Sequence, residues 1–286
     1  MVDVDPDRAP APPKHAATVM LLRDRDAGGF EVFMVRRHAQ SGFMGGAYVF
    51  PGGKLDLEDS EPRILARCSG RTPADAAVAL AEPDDERRAA GLFVAAVRET
   101  FEEAGILLAD FARDVTLVTA RERLAKEGSF VALLESLDAR LRLDRVVPWA
   151  RWLTPAVEPR RYDTRFFVAV APPDQEAAHD QDETTEAAWW APAEALAREA
   201  AGEIQLPPPT LRNLELLCAQ ASAEAVVCAA TAGPPPYVDP VFLDRDGAWV
   251  LALPGDPDHP TPERAIDGPT RFVLARGRWW SGEPSP

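Results

Sequence analysis

The sequence predicts a mixed α/β fold with a small β extension at its C-terminal end, and three observations support this. β-rich runs alternate with segments of helical periodicity through roughly residues 15–230. A Gly-Pro-Pro-Pro breaker at 233–236 is followed by strand-like runs without a further helix. The 286 residues, 46% of them apolar, can bury one large core with appendages or two small cores.

A β-hairpin is expected first. Two β-rich runs at 17–22 and 30–35 flank a segment of turn composition at 24–29. A glycine-punctuated loop at 42–46 then leads to a short strand that ends in Phe50-Pro51-Gly52-Gly53. Loops that end in such a turn commonly carry function.

A long helix from Glu86 to Ala104 is the clearest single element. Apolar residues recur at helical spacing from Ala90 to Ala104, and Gly105 can take the left-handed conformation that ends a helix. Before it, the segment from about 60 to 86 contains a helical pattern at 74–81, which Thr72-Pro73 would cap. We expect this segment to form a helical flap over the site, with a passive surface elaboration as the alternative.

The remaining elements continue the alternation. The patterns predict strands at 115–118, 149–153 and 162–170, a late strand and helix start within 182–196, and helices at 130–141, at 209–220 and from 223. Strand-like runs at 237–243, 249–253 and 270–274 make up the extension.

Charge and cysteine content restrict the partners and the compartment. A formal net charge of −15 argues against bulk attraction to nucleic acid or to an anionic membrane. Cys68, Cys218 and Cys228 are odd in number and lack metal-ligand spacing, so reduced structural thiols are expected. Because neither end reads as a targeting or anchoring signal, we expect a cytoplasmic protein.

Three carboxylates carry the main chemical signal. Glu99, Glu102 and Glu103 stand at i, i+3 and i+4, so they share one side of the predicted helix and repel one another unless a cation binds. Oxygen ligands of this kind suit Mg²⁺ or Mn²⁺, which retain waters and share their shell with a substrate phosphate. The simpler interpretation is a solvated acidic face. Gly52-Gly53 would let backbone carbonyls approach a ligand or an ion closely.

The segments 52–54 and 98–106 resemble the two halves of the Nudix box. The second half, Arg-Glu-Thr-Phe-Glu-Glu-Ala-Gly-Ile, is highly specific, although Thr100 occupies a usually apolar position. Asp59 stands where the family has glutamate, and 38 residues separate it from Arg98, far more than in the common motif. A long insertion at this point resembles the branch that contains the peroxisomal coenzyme A diphosphatase of mammals and its bacterial relatives. The resemblance covers roughly residues 15–230.

The resemblance implies a Nudix α/β/α sandwich with a mixed sheet, a helical insertion within the box and the small C-terminal β extension. Residues 1–14 would be disordered, 15–230 would form the Nudix domain, and 231–286 would form the extension. The resemblance also implies metal ligation by Gly52, Glu99, Glu102 and Glu103. Glu102 would be a ligand or the base that activates water, and Arg98 would orient it. Glu183 or Glu186 would join the site as a further ligand or base. Asp59 departs from the family pattern: it is a shorter carboxylate that the insertion separates from the helix, and we expect it to be a bystander.

The implied reaction is Mg²⁺- or Mn²⁺-dependent cleavage of a diphosphate in a nucleoside diphosphate derivative. The leading candidate for the substrate is coenzyme A or an acyl derivative. Coenzyme A diphosphatases carry a further motif ahead of the box, and Arg37 and Gly46 match this motif in part. Gly42 stands where that motif has its second arginine. Arg37, Arg161 and Arg165 are the candidates for binding substrate phosphate. The alternatives are an ADP-sugar or dinucleotide pyrophosphatase and an inactive nucleotide-binding module. The expected partner is this small molecule, with neither nucleic acid nor membrane, and a homodimer is allowed.

Overall fold

The computed structural model describes residues 11–38, 45–111, 116–178, 184–245 and 247–282. Within them the helices, in chain order, are α1 (Pro62–Leu65), α2 (Pro73–Leu80), α3 (Glu86–Ala104), α4 (Leu117–Glu127), α5 (Phe130–Ser136), α6 (Pro192–Ala200), α7 (Pro208–Leu217) and α8 (Ala223–Ala230). The strands are β1 (Lys14–Asp24), β2 (Phe30–Arg37), β3 (Tyr48–Val49), β4 (Gly52–Lys54), β5 (Cys68–Ser69), β6 (Ala109–Asp110), β7 (Arg140–Arg142), β8 (Val147–Leu153), β9 (Tyr162–Val170), β10 (Thr184–Trp190), β11 (Tyr237–Val238), β12 (Val241–Arg245), β13 (Ala248–Ala252), β14 (Arg271–Ala275) and β15 (Arg278–Ser281).

The main sheet is mixed, as predicted. Its strands lie in the order β10-β2-β1-β9-β8-β11, with β3 paired to β2 and β4 paired to β1. The central strand β1 runs antiparallel to β2 and β4 and parallel to β9, with Thr18 opposite Phe166. The predicted hairpin is the β1–β2 pair, in which Asp24 faces Phe30 across the turn.

Helices cover both faces of this sheet, which confirms the α/β/α sandwich. Val19 and Leu21 of β1 pack in one core with residues of α3 and the insertion. Met20 and Leu22, on the other face of the same strand, pack in a second core with residues of α7, α8 and the extension. Alternate residues of a strand point to opposite faces, so β1 contributes to both cores.

Local chemistry explains the limits of α3. The Asp85 side chain accepts a hydrogen bond from the Arg88 backbone amide at 2.9 Å and caps the first turn. Gly105 ends the helix with φ of 73°, the left-handed conformation that the sequence predicted. α2 is equally regular, because Thr72 and Asp75 form a reciprocal capping box ahead of Pro73.

Two expected elements differ from the structure. The strand predicted at 115–118 is wrong for Leu117 and Val118, which begin α4, while Val115 lies outside the described residues. The helix predicted from 130 to 141 ends at Ser136. Asp138 adopts φ of 45°, which turns the chain out of the helix, and 140–142 then pair with β5 and β6.

The start of the described chain and the start of the extension both join the main sheet. The expected disorder at 1–14 does not hold for the last of these residues: Lys14 begins β1, and the Ala11 carbonyl accepts a hydrogen bond from Arg161. Residues 1–10 lie outside the described part. The extension forms an antiparallel sheet, β12 to β15, but β11 first pairs in parallel with β8 of the main sheet. In the described residues no helix has the length and apolar character needed to cross a membrane.

Candidate active site

The C-terminal half of α3 presents its carboxylates to a large cleft of about 1960 Å³. Arg98, Glu99, Glu102 and Glu103 all line this cleft. The other side of the helix, including Phe93, is fully buried, so packing fixes which way the acidic side points.

The glycine turn at β4 fits closely against these carboxylates. The Gly52 amide donates a hydrogen bond to Glu103 Oε2 at 2.9 Å. A Cβ atom placed on Gly53 would lie 2.2 Å from Glu99 Oε1, and one on Gly52 would lie 2.5 Å from the Ala17 carbonyl oxygen. Glycine at 53 therefore lets the chain approach the acidic side of α3, and glycine at 52 lets it approach β1.

Arg98 organises the carboxylates around a single guanidinium. Its Nε and Nη2 donate to the two oxygens of Asp59, each at 2.9 Å. Its Nη1 donates to Glu99 at 2.8 Å and to Glu102 at 2.9 Å, so one side chain fixes two of the three helix carboxylates. Nη2 also donates to the Lys54 carbonyl at 2.9 Å, which ties α3 to β4.

The expectation that Asp59 is a bystander is wrong. Its side chain is 1% exposed, and besides the bidentate pair with Arg98 it accepts a hydrogen bond from the Asp56 amide at 2.8 Å. The short 3₁₀ turn at Glu58–Ser60 brings it back to α3 across the long insertion. Asp59 thus holds Arg98, which in turn holds Glu99 and Glu102.

The cluster carries an excess of negative charge. Asp56, Asp59, Glu99 and Glu102 all lie within ion-pair distance of the one guanidinium of Arg98. Burial raises the pKa of Glu99 to about 7, against the opposing effect of Arg98, and burial likewise raises the pKa of Glu102. Burial thus opposes the ionisation of these two carboxylates by more than Arg98 favours it.

The residues fit a hard divalent cation. Among the described residues, no group of three or more His, Cys, Asp or Glu side chains is placed to hold a metal ion by itself. Mg²⁺ and similar ions, however, usually take one or two carboxylates and complete their shell with waters and substrate phosphates. The oxygen donors, the excess charge and the glycine turn that admits Glu99 agree with such a site.

Arg37 is a cation in the same cleft whose guanidinium is incompletely bonded. It lies at the end of β2 and lines the cleft. Its Nε is buried and has no hydrogen-bond partner within the described part of the chain. A buried donor of this kind is costly unless a ligand satisfies it, and an anionic oxygen does so best.

The other two candidate arginines do not face the cleft. Tyr162, Thr164 and Phe166 line it, whereas Arg165 points to the other side of β9, where it is 1% exposed. There Nε and Nη2 of Arg165 donate to Glu82 at 2.8 and 2.6 Å. The expectation that it meets substrate phosphate is therefore wrong.

Arg161 is engaged by backbone carbonyls. Its Nε donates to Thr154 and its Nη1 to Ala11, both at 3.1 Å. The guanidinium thus holds the start of the described chain against the turn before β9, and it does not line the cleft.

Of the two carboxylates expected from the late strand, Glu186 is not brought to α3. Glu186 on β10 accepts hydrogen bonds from Tyr48 at 2.6 Å and from Arg36 at 2.8 Å, outside the cleft lining. Burial, together with this bond, raises the pKa of the Tyr48 hydroxyl to about 12. Glu183 lies outside the described residues.

The insertion is not a flap over the site. Ile64 and Leu80 are buried in the core beneath α3, and no residue from 60 to 86 lines the cleft. Glu82 reaches further and pairs with Arg165 on the sheet. Deleting 63–81 would therefore remove core side chains, and we expect it to impair folding before substrate affinity.

An apolar half of the cleft was not predicted from the sequence. Beyond the charged end, the cleft is lined by Trp152 on β8 and by residues of the extension, among them Phe242, Leu251, Leu253 and Trp279. For the extension the sequence predicted only strands. Strand alternation could have placed Trp152 beside Ala150, but only the fold brings the extension to it.

Comparison with known proteins agrees with this geometry. A family model described as the NUDT19 Nudix domain matches residues 11–217. The chain is similar to the acyl-coenzyme A diphosphatase NUDT19 of Xenopus laevis, at 26% identity over 83% of this chain and 73% of that protein. The human protein of that name is 29% identical over 82% of this chain and 73% of its own length. The fold is also similar to that in a crystal structure of a NUDIX hydrolase from Alicyclobacillus acidocaldarius, with a TM-score of 0.66 and 31% sequence identity. This match covers 78% of this chain and 99% of that one.

Proposed function

This chain belongs to the NUDT19 Nudix domain family of Nudix hydrolases, and from that membership we propose that it is a divalent-metal-dependent diphosphatase acting on coenzyme A or acyl-coenzyme A. The products would be 3′,5′-ADP and 4′-phosphopantetheine, the latter acylated when the substrate is. The observation that carries the proposal is one cleft that holds both the crowded carboxylates of α3 and the unsatisfied Nε of Arg37. The names of the similar Xenopus and human proteins support the choice of substrate.

Each residue has an assigned part. Glu99 and Glu103, with the Gly52 carbonyl, would hold Mg²⁺ or Mn²⁺, and Glu102 would be a further ligand or the base. Arg98 fixes the Glu102 carboxylate through its 2.9 Å hydrogen bond, and Asp59 fixes Arg98. A bound cation would supply positive charge to the diphosphate and acidify the attacking water.

The reaction balances with one water molecule. If Glu102 is the base, it accepts a proton from water, the water oxygen bonds to one phosphorus, and the bond between that phosphorus and the bridging oxygen breaks. The bridging oxygen remains with the other phosphate. The Gly52 amide keeps Glu103 in place throughout.

We assign Arg37 to the 3′-phosphate of the ADP half. In an acidic chain this group needs a local cation, and the guanidinium fork suits phosphate. Arg161 and Arg165 are not proposed for this part, because carbonyls or carboxylates of the protein already occupy their donors.

The test is hydrolysis of a substrate panel with Mg²⁺ and with Mn²⁺. We expect coenzyme A and acyl-coenzyme A to be cleaved most efficiently, dephospho-coenzyme A less so, and none without the metal. If ADP-ribose or NADH is cleaved far more efficiently, the enzyme is an ADP-sugar or dinucleotide pyrophosphatase. If none is cleaved with either metal, the chain is a nucleotide-binding module, a reading that the retention of all three helix carboxylates disfavours.

The cytoplasmic location, the absence of nucleic-acid and membrane partners, and the allowance for a homodimer stay predictions from the sequence. The small-molecule nucleotide substrate agrees with membership of the family.

A further inference from the structure

The cleft extends well past the diphosphate site, along the floor formed by the main sheet. Lys54 on β4 lies opposite Ala16 on β1, Ala16 lies opposite Thr164 on β9, and Thr164 lies opposite Trp152 on β8. All four line the cleft. Neighbouring strands are about 4.8 Å apart, so this row runs about 14 Å from the charged end.

The lining changes character along the row. The cleft is charged at β4 and α3, whereas at the far end the extension contributes Phe242, Leu251, Leu253 and Trp279. Arg212 of α7, whose side chain is 1% exposed, holds this end in place. It donates hydrogen bonds to the carbonyls of Asp267 and Pro269 and so ties the extension to the core. A rigid apolar wall of this kind suits an alkyl chain.

Trp152 offers a hydrogen bond that the protein does not use. Its residue is 3% exposed, yet its indole Nε1 has no partner among the described residues. An indole nitrogen can only donate, and leaving it buried and unpaired is costly. An uncharged acceptor, such as an amide carbonyl of a ligand, would satisfy it without bringing charge into the apolar end.

The unsatisfied donors of Arg37 and Trp152 lie on opposite sides of β1. Arg37 stands on β2, and Trp152 stands on β8, with β1 and β9 between them in the sheet order. A ligand whose diphosphate lies at α3 would therefore send its phosphorylated nucleotide towards Arg37 and its other arm towards Trp152.

We propose that the apolar half of the cleft holds the pantetheine arm and the acyl chain of the substrate. Trp152 Nε1 donates to an amide carbonyl of the arm, and the acyl chain lies against Phe242 and Trp279 of the extension. The extension thereby selects acylated over free coenzyme A. This inference rests on the proposed function and adds the residues and the direction of substrate binding.

The first experiment compares Trp279→Ala with Trp280→Ala. These are adjacent tryptophans of β15, but only Trp279 lines the cleft. The ring of Trp280 instead packs on Arg278, with 4.8 Å between the ring centroid and Cζ. The readout is the ratio of kcat/KM for dodecanoyl-coenzyme A to that for free coenzyme A. We expect the ratio to fall about tenfold in Trp279→Ala and to stay at the wild-type value in Trp280→Ala, because only the first contacts the alkyl chain.

Unfolding curves of both variants control for a folding defect, and Phe242→Ala replaces Trp279→Ala if the latter is unfolded. The proposal is overturned if the kcat/KM ratio is unchanged in folded Trp279→Ala, or in Phe242→Ala where that replaces it. It is also overturned if the ratio falls equally in Trp280→Ala. Absence of coenzyme A hydrolysis by the wild-type enzyme would instead overturn the proposed function, so the two failures are distinguishable.

The second experiment uses Trp152→Phe, which removes the donor and keeps most of the ring. Inhibition by 4′-phosphopantetheine should weaken several-fold, whereas inhibition by 3′,5′-ADP should not change. The reverse pattern would mean that the nucleotide occupies the apolar end, and equal effects on both inhibitors would also contradict the assignment.

Discussion

Arg98 and Arg165 are both buried, and each gives Nε and Nη2 to one carboxylate, Asp59 in the first case and Glu82 in the second. Their surroundings differ. Arg98 faces further carboxylates, Glu99 and Glu102, on the wall of the cleft.

Around Arg165 the charges balance, because three arginines (Arg88, Arg151 and Arg165) meet three carboxylates (Glu82, Asp85 and Asp163). Arg88 and Arg151 also approach Glu82, at 3.7 and 3.6 Å, and Arg151 pairs with Asp163 at 2.7 Å. Burial would raise the pKa of Asp163, but hydrogen bonds from His15 and Arg151 and the charge of Arg165 hold it well below its usual value. None of these residues lines the cleft.

The comparison separates two uses of a buried arginine. Where cations and carboxylates balance away from the cleft, the cluster holds the insertion and the sheet together. Where carboxylates exceed cations on a cleft wall, an exogenous cation would balance the charge, and the cluster is a candidate functional site. Substitutions in the two clusters should therefore affect different measurements.

The largest expected effect is on folding, in the balanced cluster. Glu82→Ala leaves Arg165 buried without its bidentate partner and should lower the free energy of unfolding by about 3–5 kcal/mol. Denaturant unfolding measures this, with Glu127→Ala on α4 as a control, since its pair with Arg123 is exposed and should matter little. The turnover of the folded fraction should be that of the wild type. A stability close to wild type would show that the cluster does not hold the insertion.

The next effect is on catalysis, in the acidic cluster. Glu102→Gln and Glu103→Gln should each lower kcat by about a hundredfold or more, as is typical when positioned electrostatic or acid–base groups are removed. Unfolding stability should not fall, because each change removes a charge from a mutually repelling set. Near-normal turnover by both variants would refute the assignment of the metal site.

Asp59→Ala removes the bidentate partner of a buried arginine, as Glu82→Ala does, but in the acidic cluster. It leaves Arg98 without its bidentate partner while Glu99 and Glu102 still bind the guanidinium, so activity should fall by about tenfold, less than in Glu103→Ala. Steady-state kinetics of Asp59→Ala and Glu103→Ala, measured together with their melting temperatures, shows which variant loses more activity. If Asp59→Ala were as inactive as Glu103→Ala while remaining folded, Asp59 would act in the chemistry itself.

The smallest effect concerns substrate choice. Arg37→Ala should narrow the preference for coenzyme A over dephospho-coenzyme A several-fold, because only the former carries the 3′-phosphate. Arg36→Ala is the matched control: this neighbour pairs with Glu186 and does not line the cleft. Equal preferences in wild type and Arg37→Ala would place the 3′-phosphate elsewhere.

Elements set by neighbouring residues could be predicted from the sequence. The periodicity of α3, its end at Gly105 and the Thr72 cap all depend on residues within a few positions of one another. The three glutamates could be placed on one side of α3 for the same reason.

Contacts between residues that are far apart in the sequence could not be predicted from it. Asp59 meets Arg98 across 39 positions, and whether Arg165 faces the cleft or the core depends on the register of β9 against β1 and β8. A shift of one residue reverses every side chain of a strand, and no local pattern in a basic, polar strand start fixes that choice.

The short strand β11 protects the sheet as well as leading the extension to the cleft. Tyr237 and Val238 pair with Arg151 and Trp152, and the Arg151 amide donates to the Pro236 carbonyl at 2.8 Å. A chain cut after residue 217, where the match to the family model stops, would leave this part of β8 as a bare edge with Trp149 and Trp152 on it. Unpaired apolar edges promote association between copies, so shortened forms of this enzyme should aggregate even when every residue of the metal site is present.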